Sequence, residues 1–420
     1  MLDIKLIRSN KEDVREGLLK RMPAEKLDLD GIITLDDQER ELIKAVEALQ
    51  AQRNKYSKSK PTPEVIIEMK AVGEKIKDGE EKLAAVSKEL NDRLLELPNL
   101  PAPDVVAGGK ENNEVIYTYG KMPKFNFTPK DHVELAKSLD LIDYERAVKI
   151  AGSGFWCYKG VGALLEWALL SYFIDFHTQN GYQFLIPPFL LTEKSAFTSG
   201  HLPKFRDDLF WTQDGLCLNA TSEMMLGNYH REEILPLETL PLKYFAYSPC
   251  FRREAGSYRQ EERGMIRGHQ FNKVEMFIFS SPEKSWEMFA ELVRNAKKLV
   301  EGLDLHFQVS KLAAGDCSAA MVKTYDLEVF IPSMEIYKEV SSVSNAMDYQ
   351  ARRGHVRYKN SATGRNEFVH TLNASGLATS RLLPAILEQN QQADGSVIIP
   401  KILRKYLPHG LKQIKPKQEK

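Results

Sequence analysis

The chain has 420 residues, 43% of them hydrophobic and 28% charged, with 58 lysines and arginines against 58 aspartates and glutamates. That balance excludes a globally basic nucleic-acid binder and leaves room for a local basic patch, while the length is enough for two domains of about 100–200 residues each. The cysteines at 157, 217, 250 and 317 form no C-x-x-C pair, which argues against a zinc knuckle or a disulfide framework and fits a reducing cytoplasm. The opening MLDIKLIRSN has no long apolar run, and the most apolar helix candidate, GALLEWALLSYFIDFH, is interrupted by Glu166 and Asp175. A soluble, cytoplasmic protein with no membrane partner is expected.

From about Asp36 to Leu97 the chain carries charged helix formers with spaced apolar residues and no strand-like run. Met69, Val72, Ile76, Gly79, Leu83, Val86 and Leu90 alternate spacings of three and four, a heptad seam, and Leu42, Val46, Leu49, Arg53 and Tyr56 continue the rhythm upstream. The proline-containing SKSKPTP between them stops one helix and starts the next. Two helices of similar length should therefore fold back as an antiparallel hairpin, projecting as an arm over about 36–97. At its tip Arg53, Lys55, Lys58 and Lys60 stand together with no acid between Ala48 and Pro63. A solvated turn explains this as well as a phosphate-tracking tip does, and the second reading rests on counterion release by clustered cations.

After LPNLPAPDVVAGGK the composition changes, which divides the chain into an N-terminal region over 1–110 and a second region over 111–420. There, FLIPPFLL, LKYFAYSPCF, KVEMFIF, YDLEVFI and FVHTL read as strands, with ALLEWALLSYFIDFH and SWEMFAELVRNAKKLVEGL as helices. Strands this close to their neighbours predict a mostly antiparallel sheet flanked by helices, an α+β arrangement. No G-x-G-x-x-G follows a strand and no G-x-x-x-x-G-K-[ST] occurs, so any nucleotide is held by neither common phosphate loop. The stretch CFRREAGSYRQEERGMIRGHQFNKVEM offers another means. Arg252 and Glu254 fall two apart at a strand end, and Arg267, Phe271 and Glu275 share a face if they lie on a strand. A cation, a flat aromatic ring and a carboxylate on paired strands can hold a triphosphate and stack a base; a charged surface hairpin has the same spacing.

FRRE followed by IRGHQFNKVEMF resembles motif 2 of the class II aminoacyl-tRNA synthetases, in the form characteristic of the seryl-tRNA synthetase family. GYQFLIPPFLL, with Pro188, resembles motif 1, and LNASGLATSRLLPAILEQNQ, with Arg381, resembles motif 3. NATSEMMLG resembles the family's T-x-E loop and YDLEVFIPSMEIYKEVSSVSNAMDYQARR its E-x-S-S strand; the likeness runs from MLDIKLIR to IIPKILRKYL. KYSKS at 55–59 looks like the lysine loop of class I synthetases, but no H-x-G-H accompanies it and it falls in the helical turn.

The resemblance implies a homodimeric enzyme with a helical tRNA-binding arm, activating L-serine with ATP and Mg²⁺ and passing it to the 3′ end of tRNA-Ser. A tRNA-Sec acceptor is left open and no DNA partner is implied. It implies catalytic roles for Arg252 and Arg381, with Arg253, Glu254, Arg267, Phe271 and the strand Glu339, Val340, Ser341 and Ser342 around ATP. Glu339 and Ser342 would hold Mg²⁺, whose preference is for hard oxygen ligands. Thr221, Ser222, Glu223, Glu275, Asn373 and Ser375 would form the serine pocket. Read singly, each of these has an ordinary structural explanation: Thr221 and Glu223 can be a helix cap and first-turn acid. Two alternatives remain, a relative loading a small amino acid onto a carrier protein and a catalytically silent RNA-binding homologue. Ser222 stands where the family has alanine and Ala374 where it has glycine, so an added group near the substrate is expected either to tighten the pocket or to alter inhibitor binding. The loop SYRQEERG also departs from the family pattern.

Overall fold

The computed structural model describes residues 1–56, 62–255 and 264–416. Lys58, Lys60, the Tyr56 side chain and most of SYRQEERG lie outside the described residues. The chain divides into two compact units, Met1–Pro101 and Ala102–Lys420, ahead of the composition change near 110. The connection Ala102–Gly109 bonds into the second unit: the Ala102 amide donates to Val322 O at 2.8 Å, and Val105 is buried with Ala314.

In the first unit, helices α1 (Leu29–Tyr56) and α2 (Pro63–Glu96) are antiparallel partners. Ser87 Oγ donates to Glu39 at 2.6 Å and Gln50 Nε2 to Glu80 at 3.0 Å, pairs whose numbers run in opposite directions. The seam follows the predicted spacing at Val46, Val72, Ile76 and Leu90, which are buried, but not at Arg53, which is exposed near the helix end. Gly79 is needed for the close approach, since a Cβ there would lie 2.8 Å from Val46 Cγ2. Thr62 caps α2 and Pro63 takes its first turn, where a missing N–H costs nothing. The lower ends of both helices join the short helices Ile4–Ser9 and Lys11–Leu19 around Ile7, Leu18, Ile32 and Leu94.

The second unit is built on an eight-stranded sheet. In chain order its strands are β1 (Glu114–Tyr119), β2 (Gln183–Leu185), β3 (Leu242–Phe251), β4 (Gln270–Ser280), β5 (Phe307–Lys311), β6 (Lys323–Ile331), β7 (Ile336–Met347) and β8 (His370–Ala378). Their spatial order is β1-β5-β6-β7-β8-β4-β3-β2, antiparallel throughout except for the β2–β3 pair. FLIPPFLL is not one strand: pairing stops before Pro187 and Pro188, which carry no N–H, and resumes as Leu190–Thr192 in a separate two-stranded sheet.

Helices α3 (Val161–Gln179), α4 (Ser285–Gly302) and α5 (Thr379–Gln389) supply the core over one face of this sheet. Strand alternation sorts β4: Val274, Met276 and Ile278 join that core with Leu169, Phe173, Leu292, Leu299 and Ile386, and the odd-numbered residues face the other way. β8 is sorted likewise, with Leu372 and Ala374 in the core.

One polar group is sealed among these helices. Glu166 of α3 is 2% exposed, and its Oε1 accepts from Asn272 Nδ2 of β4 at 2.8 Å and Thr379 Oγ1 of α5 at 2.6 Å. One carboxylate oxygen thus ties α3, β4 and α5 together. Burial pushes the carboxyl up to about 7, against the opposing effect of the Thr379 and Asn272 hydrogen bonds. Because the folded value is raised, Glu166 favours folding fully below the unfolded value near 4.5, and that contribution is lost as pH rises to about 7. Glu166→Gln, which keeps the accepting oxygen, should lose less stability between about pH 5 and pH 8 than the parent, by on the order of 1–3 kcal/mol. Parallel pH profiles in urea unfolding would refute this.

Candidate active site

The odd-numbered face of β4 presents Phe271, Lys273 and Glu275 in succession, and the matching face of β8 presents Asn373 and Ser375. Register brings them together, since Ser375 pairs with Glu275 and Asn373 with Phe277. Glu339 and Ser342 are three apart on β7, which would set them on opposite faces of a regular strand. A bulge repairs this: Ser341 pairs with Leu327 while Glu339 pairs with Glu328, and both Glu339 and Ser342 end on the cavity side.

The result is a cavity of about 150 Å³ lined by Thr221, Glu223, Arg252, Lys273, Glu275, Asn373 and Ser375, with Glu339 and Ser342 at its side. A second, of about 80 Å³, shares Arg252, Lys273, Glu339 and Ser375 with it and adds Glu254, Arg267, Phe271, Val340 and Arg381. Three predicted residues stay outside. Ser222 is fully buried with its Oγ 2.7 Å from Ser248 Oγ, behind the cavity wall. Ser341 is buried and donates to Ser375 O at 2.6 Å. Arg253 is exposed, its amide donating to Asp208 O at 2.9 Å. The expected tightening at Ser222 and Ala374 therefore fails for one reason: strand pleat and loop direction point both side chains away from the cavity.

Arg252 and Glu254 also reach the site by another route than strand alternation. β3 ends at Phe251, and Glu254 takes a left-handed backbone with φ of 52°. Arg267 precedes β4 instead of lying on it. These groups meet through side chains: Arg267 Nε donates to Glu254 Oε2 at 2.6 Å, and the Arg252 guanidinium lies 5.2 Å from the Phe271 ring centre. Arg381 at the start of α5 donates to Glu339 O at 3.0 Å and Ile266 O at 3.2 Å, which fixes its head between β7 and the segment before β4.

Sequence reasoning missed Lys273. It is 5% exposed, forms an ion pair with Glu275, and its Nζ donates to Thr221 Oγ1 at 2.7 Å. Asn373 Nδ2 adds a 3.2 Å hydrogen bond to Glu275. Gln350, also missed, donates to Glu223 Oε1 at 2.6 Å and to Ser199 O at 3.0 Å. Burial and, secondarily, the Glu275 charge push the Glu223 carboxyl up to about 7, opposed by Gln350, Lys273 and Arg252. Asp326 of β6, opposite Ser342, was overlooked as well; burial and Glu339 hold its carboxyl well above the usual range. A signal for Lys273 was present in the sequence, since it falls on the same alternation as Phe271 and Glu275. Gln350 lies on the short helix Tyr349–Gly354, out of register with any motif.

Two carboxylates facing one lysine form a socket for a small molecule carrying an ammonium and a hydroxyl. The neighbouring cavity sets an aromatic ring and three arginines where a phosphorylated base can lie. Residues 205–390 match the family described as tRNA synthetase class II core domain (G, H, P, S and T), which gives the class to which this sheet and site correspond. Residues 1–101 match the seryl-tRNA synthetase N-terminal domain. Serine--tRNA ligase 2 of Clostridium acetobutylicum is 51% identical over 97% of this chain and 99% of its own length. The serine--tRNA ligase of Petrotoga mobilis is 44% identical over 97% and 99%. The crystal structure of seryl-tRNA synthetase from Pyrococcus horikoshii complexed with ATP superposes with a TM-score of 0.92 at 34% identity, covering all of both chains. The chain belongs to the seryl-tRNA synthetase family.

Lys273→Met removes the one cation paired with Glu275 while keeping the length of the side chain. A buried carboxylate left without its partner should lower stability by about 3 kcal/mol. Urea unfolding that gives the parental midpoint would show that the pair does not hold the pocket together.

Proposed function

We propose that this chain activates L-serine with Mg·ATP to seryl-adenylate and transfers the seryl group to the terminal ribose of tRNA-Ser. The observation that carries this reading is the pair of adjoining cavities that share Arg252, one furnished for an amino acid and the other for a nucleotide. Glu223 and Thr221 receive the serine ammonium, and Glu275, held by Lys273 and Asn373, receives its hydroxyl. Alanine would leave that buried carboxylate one hydrogen bond short, a penalty that favours serine. Phe271 stacks on adenine with Glu254 toward its amine, and Arg267 and Arg381 hold the polyphosphate. Arg252 takes the α-phosphate and offsets the charge that builds as the serine carboxylate attacks phosphorus and pyrophosphate departs.

Glu339 and Ser342 suit a divalent ion that arrives on ATP. They offer a carboxylate and a hydroxyl side by side in the same cavity. Among the described residues no group of three or more His, Cys, Asp or Glu side chains could hold a metal ion by itself. That donor set fits Mg²⁺, which takes most of its ligands from phosphate and water; when bound it neutralises polyphosphate charge. Asp326, buried beside Ser342, fits an adjusting position behind them.

Arg53 and Lys55 are exposed at the end of α1 and begin a basic run that continues in the sequence with Lys58 and Lys60; this run would track tRNA phosphate. Leu164 and Trp167, apolar yet 43% and 56% exposed on α3, support a homodimer that covers this face. Among the described residues no helix is long and apolar enough to cross a membrane. Four unpaired cysteines fit work in the cytoplasm.

Purified protein should exchange pyrophosphate into ATP when serine is supplied; exchange with another amino acid and not serine would overturn the specificity. Arg252→Ala should lower that exchange about a thousandfold with unchanged thermal unfolding, and near-normal adenylation would remove the phosphate role. Replacing Arg53, Lys55, Lys58 and Lys60 together by alanine should raise the KM for tRNA about tenfold and flatten its salt dependence, leaving exchange intact. An unchanged KM would make the tip a solvated turn.

A further inference from the structure

A group that the activation step does not use stands at the mouth of the serine cavity. His201 follows the short helix Glu193–Thr198 and lines both the 150 Å³ cavity and a larger one of about 430 Å³. The two share His201, Phe205, Arg252 and Ser318. The larger one contains none of Glu223, Glu275 or Asn373, and it extends to Ala255, where the segment between β3 and β4 begins. It has the size of a nucleoside-scale site and lies on the far side of Arg252 from the serine-binding carboxylates.

Ser199 Oγ lies 2.9 Å from His201 Nδ1 and within reach of the carbonyls of Ala196 at 3.1 Å and Ser195 at 3.3 Å. A hydroxyl has one hydrogen, so with that hydrogen on a carbonyl Ser199 Oγ accepts from Nδ1, and Nε2 then holds a lone pair. The loop is held on both sides: Gln350 donates to Ser199 O at 3.0 Å and Arg353 to Leu202 O at 2.9 Å. Burial, then Arg252, Lys273 and Arg353, lower the imidazole to about 3, so it stays neutral and accepts without taking charge.

Resting on the synthetase reading above, we propose that His201 Nε2 accepts a hydrogen bond from the attacking ribose hydroxyl of the tRNA's terminal adenosine and aims it in the second step. In that step the ribose oxygen bonds to the seryl carbonyl carbon. The bond from that carbon to the α-phosphate oxygen breaks, AMP leaves with the electron pair, and the hydroxyl proton is released to water. The serine cavity already has acceptors for ammonium and hydroxyl in Glu223, Thr221 and Glu275. The junction beside Arg252, where the carbonyl must lie, has His201 and the hydroxyl of Ser318 as lone-pair acceptors that both cavities share, and His201 is the one with a ring nitrogen to aim. Ser199 is a positioning residue that acts through the tautomer it selects when its hydroxyl turns to a carbonyl.

The test separates the two steps on the full-length enzyme. Seryl-adenylate is formed on the protein, tRNA-Ser is added, and single-turnover transfer is measured beside serine-dependent pyrophosphate exchange for His201→Ala, His201→Gln and Ser199→Ala. Expected are a transfer rate about thirtyfold lower for His201→Ala, recovery to within about fivefold of the parent for His201→Gln, whose amide oxygen can accept in place of Nε2, and a few-fold loss for Ser199→Ala. Exchange should keep at least about a third of its rate in all three, with thermal unfolding showing that each is folded. Loss of exchange in step with transfer would place His201 on serine or ATP and overturn the proposal, as would parental transfer in His201→Ala. A parent protein without serine-dependent exchange would instead overturn the underlying reading, a different outcome.

Discussion

A lysine and a glutamate side by side in a protein interior are tolerated only as a pair, and the ion pair of Lys273 with Glu275 is the constraint around which this site is arranged. Both belong to β4, two residues apart, so the pleat that turns Val274 and Met276 into the helical core turns these charges into the cavity. Neither charge could move by one residue without exchanging a core position for a solvent-poor polar one. The neighbouring strands answer to this choice. Asn373 of β8 bonds Glu275, and Thr221, arriving from a loop, accepts a second Lys273 donor. Glu223 faces that carboxylate, whose charge adds to burial in raising its own value, and it takes its hydrogen bond from the uncharged Gln350.

The same strand links the cavity to the body of the domain. Asn272, between Phe271 and Lys273, points the opposite way and donates to Glu166, which Thr379 also reaches. Arg381 lies two residues beyond Thr379 in α5, so the helix end that presents an arginine to the nucleotide cavity is held by the carboxylate behind β4. Gly376 completes the seat of that helix: a Cβ there would come within 2.3 Å of His177 Nε2, whose ring approaches the Gly376 carbonyl at 2.9 Å. Polar residues buried on opposite sides of one sheet thus set the spacing between the strand carrying Phe271 and the helix carrying Arg381.

Much of this could be read from the chain. Heptad spacing located the seam at Val46, Val72, Ile76 and Leu90 because a two-helix hairpin has no other means of burying apolar surface. Alternation identified Phe271 and Glu275 as neighbours on one face. What could not be read follows from three physical causes. Alternation fails where strands end, so Arg252, Glu254 and Arg267 meet through loop backbone, including a left-handed Glu254 that no pattern announces. A bulge breaks the period of two, and only the observed register explains why Glu339 and Ser342 share a cavity. Pleat direction is lost when a motif is read as a string: Ser222, Ser341 and Ala374 sit inside recognisable motifs and yet face Ser248, the Ser375 carbonyl and the core. Gln350 and His201 act from separate short helices and loops, whose approach to the sheet depends on long-range packing.

Charge accounts for the division of labour within the site. One cavity gathers Glu223 and Glu275 against Lys273, while the other gathers Arg252, Arg267 and Arg381 against Glu254 and Glu339. In the proposed reaction an ammonium-bearing amino acid and a polyphosphate would be drawn to opposite sides of Arg252, which lines both cavities, so that the serine carboxylate and the α-phosphate would meet there. A uniformly basic cavity would bind ATP and repel the ammonium, and a uniformly acidic one would do the reverse. The same field acts on any base placed at the junction. Burial first, and then Arg252, Lys273 and Arg353, hold His201 neutral, so in the proposed transfer a histidine there would contribute direction to an incoming hydroxyl and not charge, and the step would draw its driving force from the reactive adenylate.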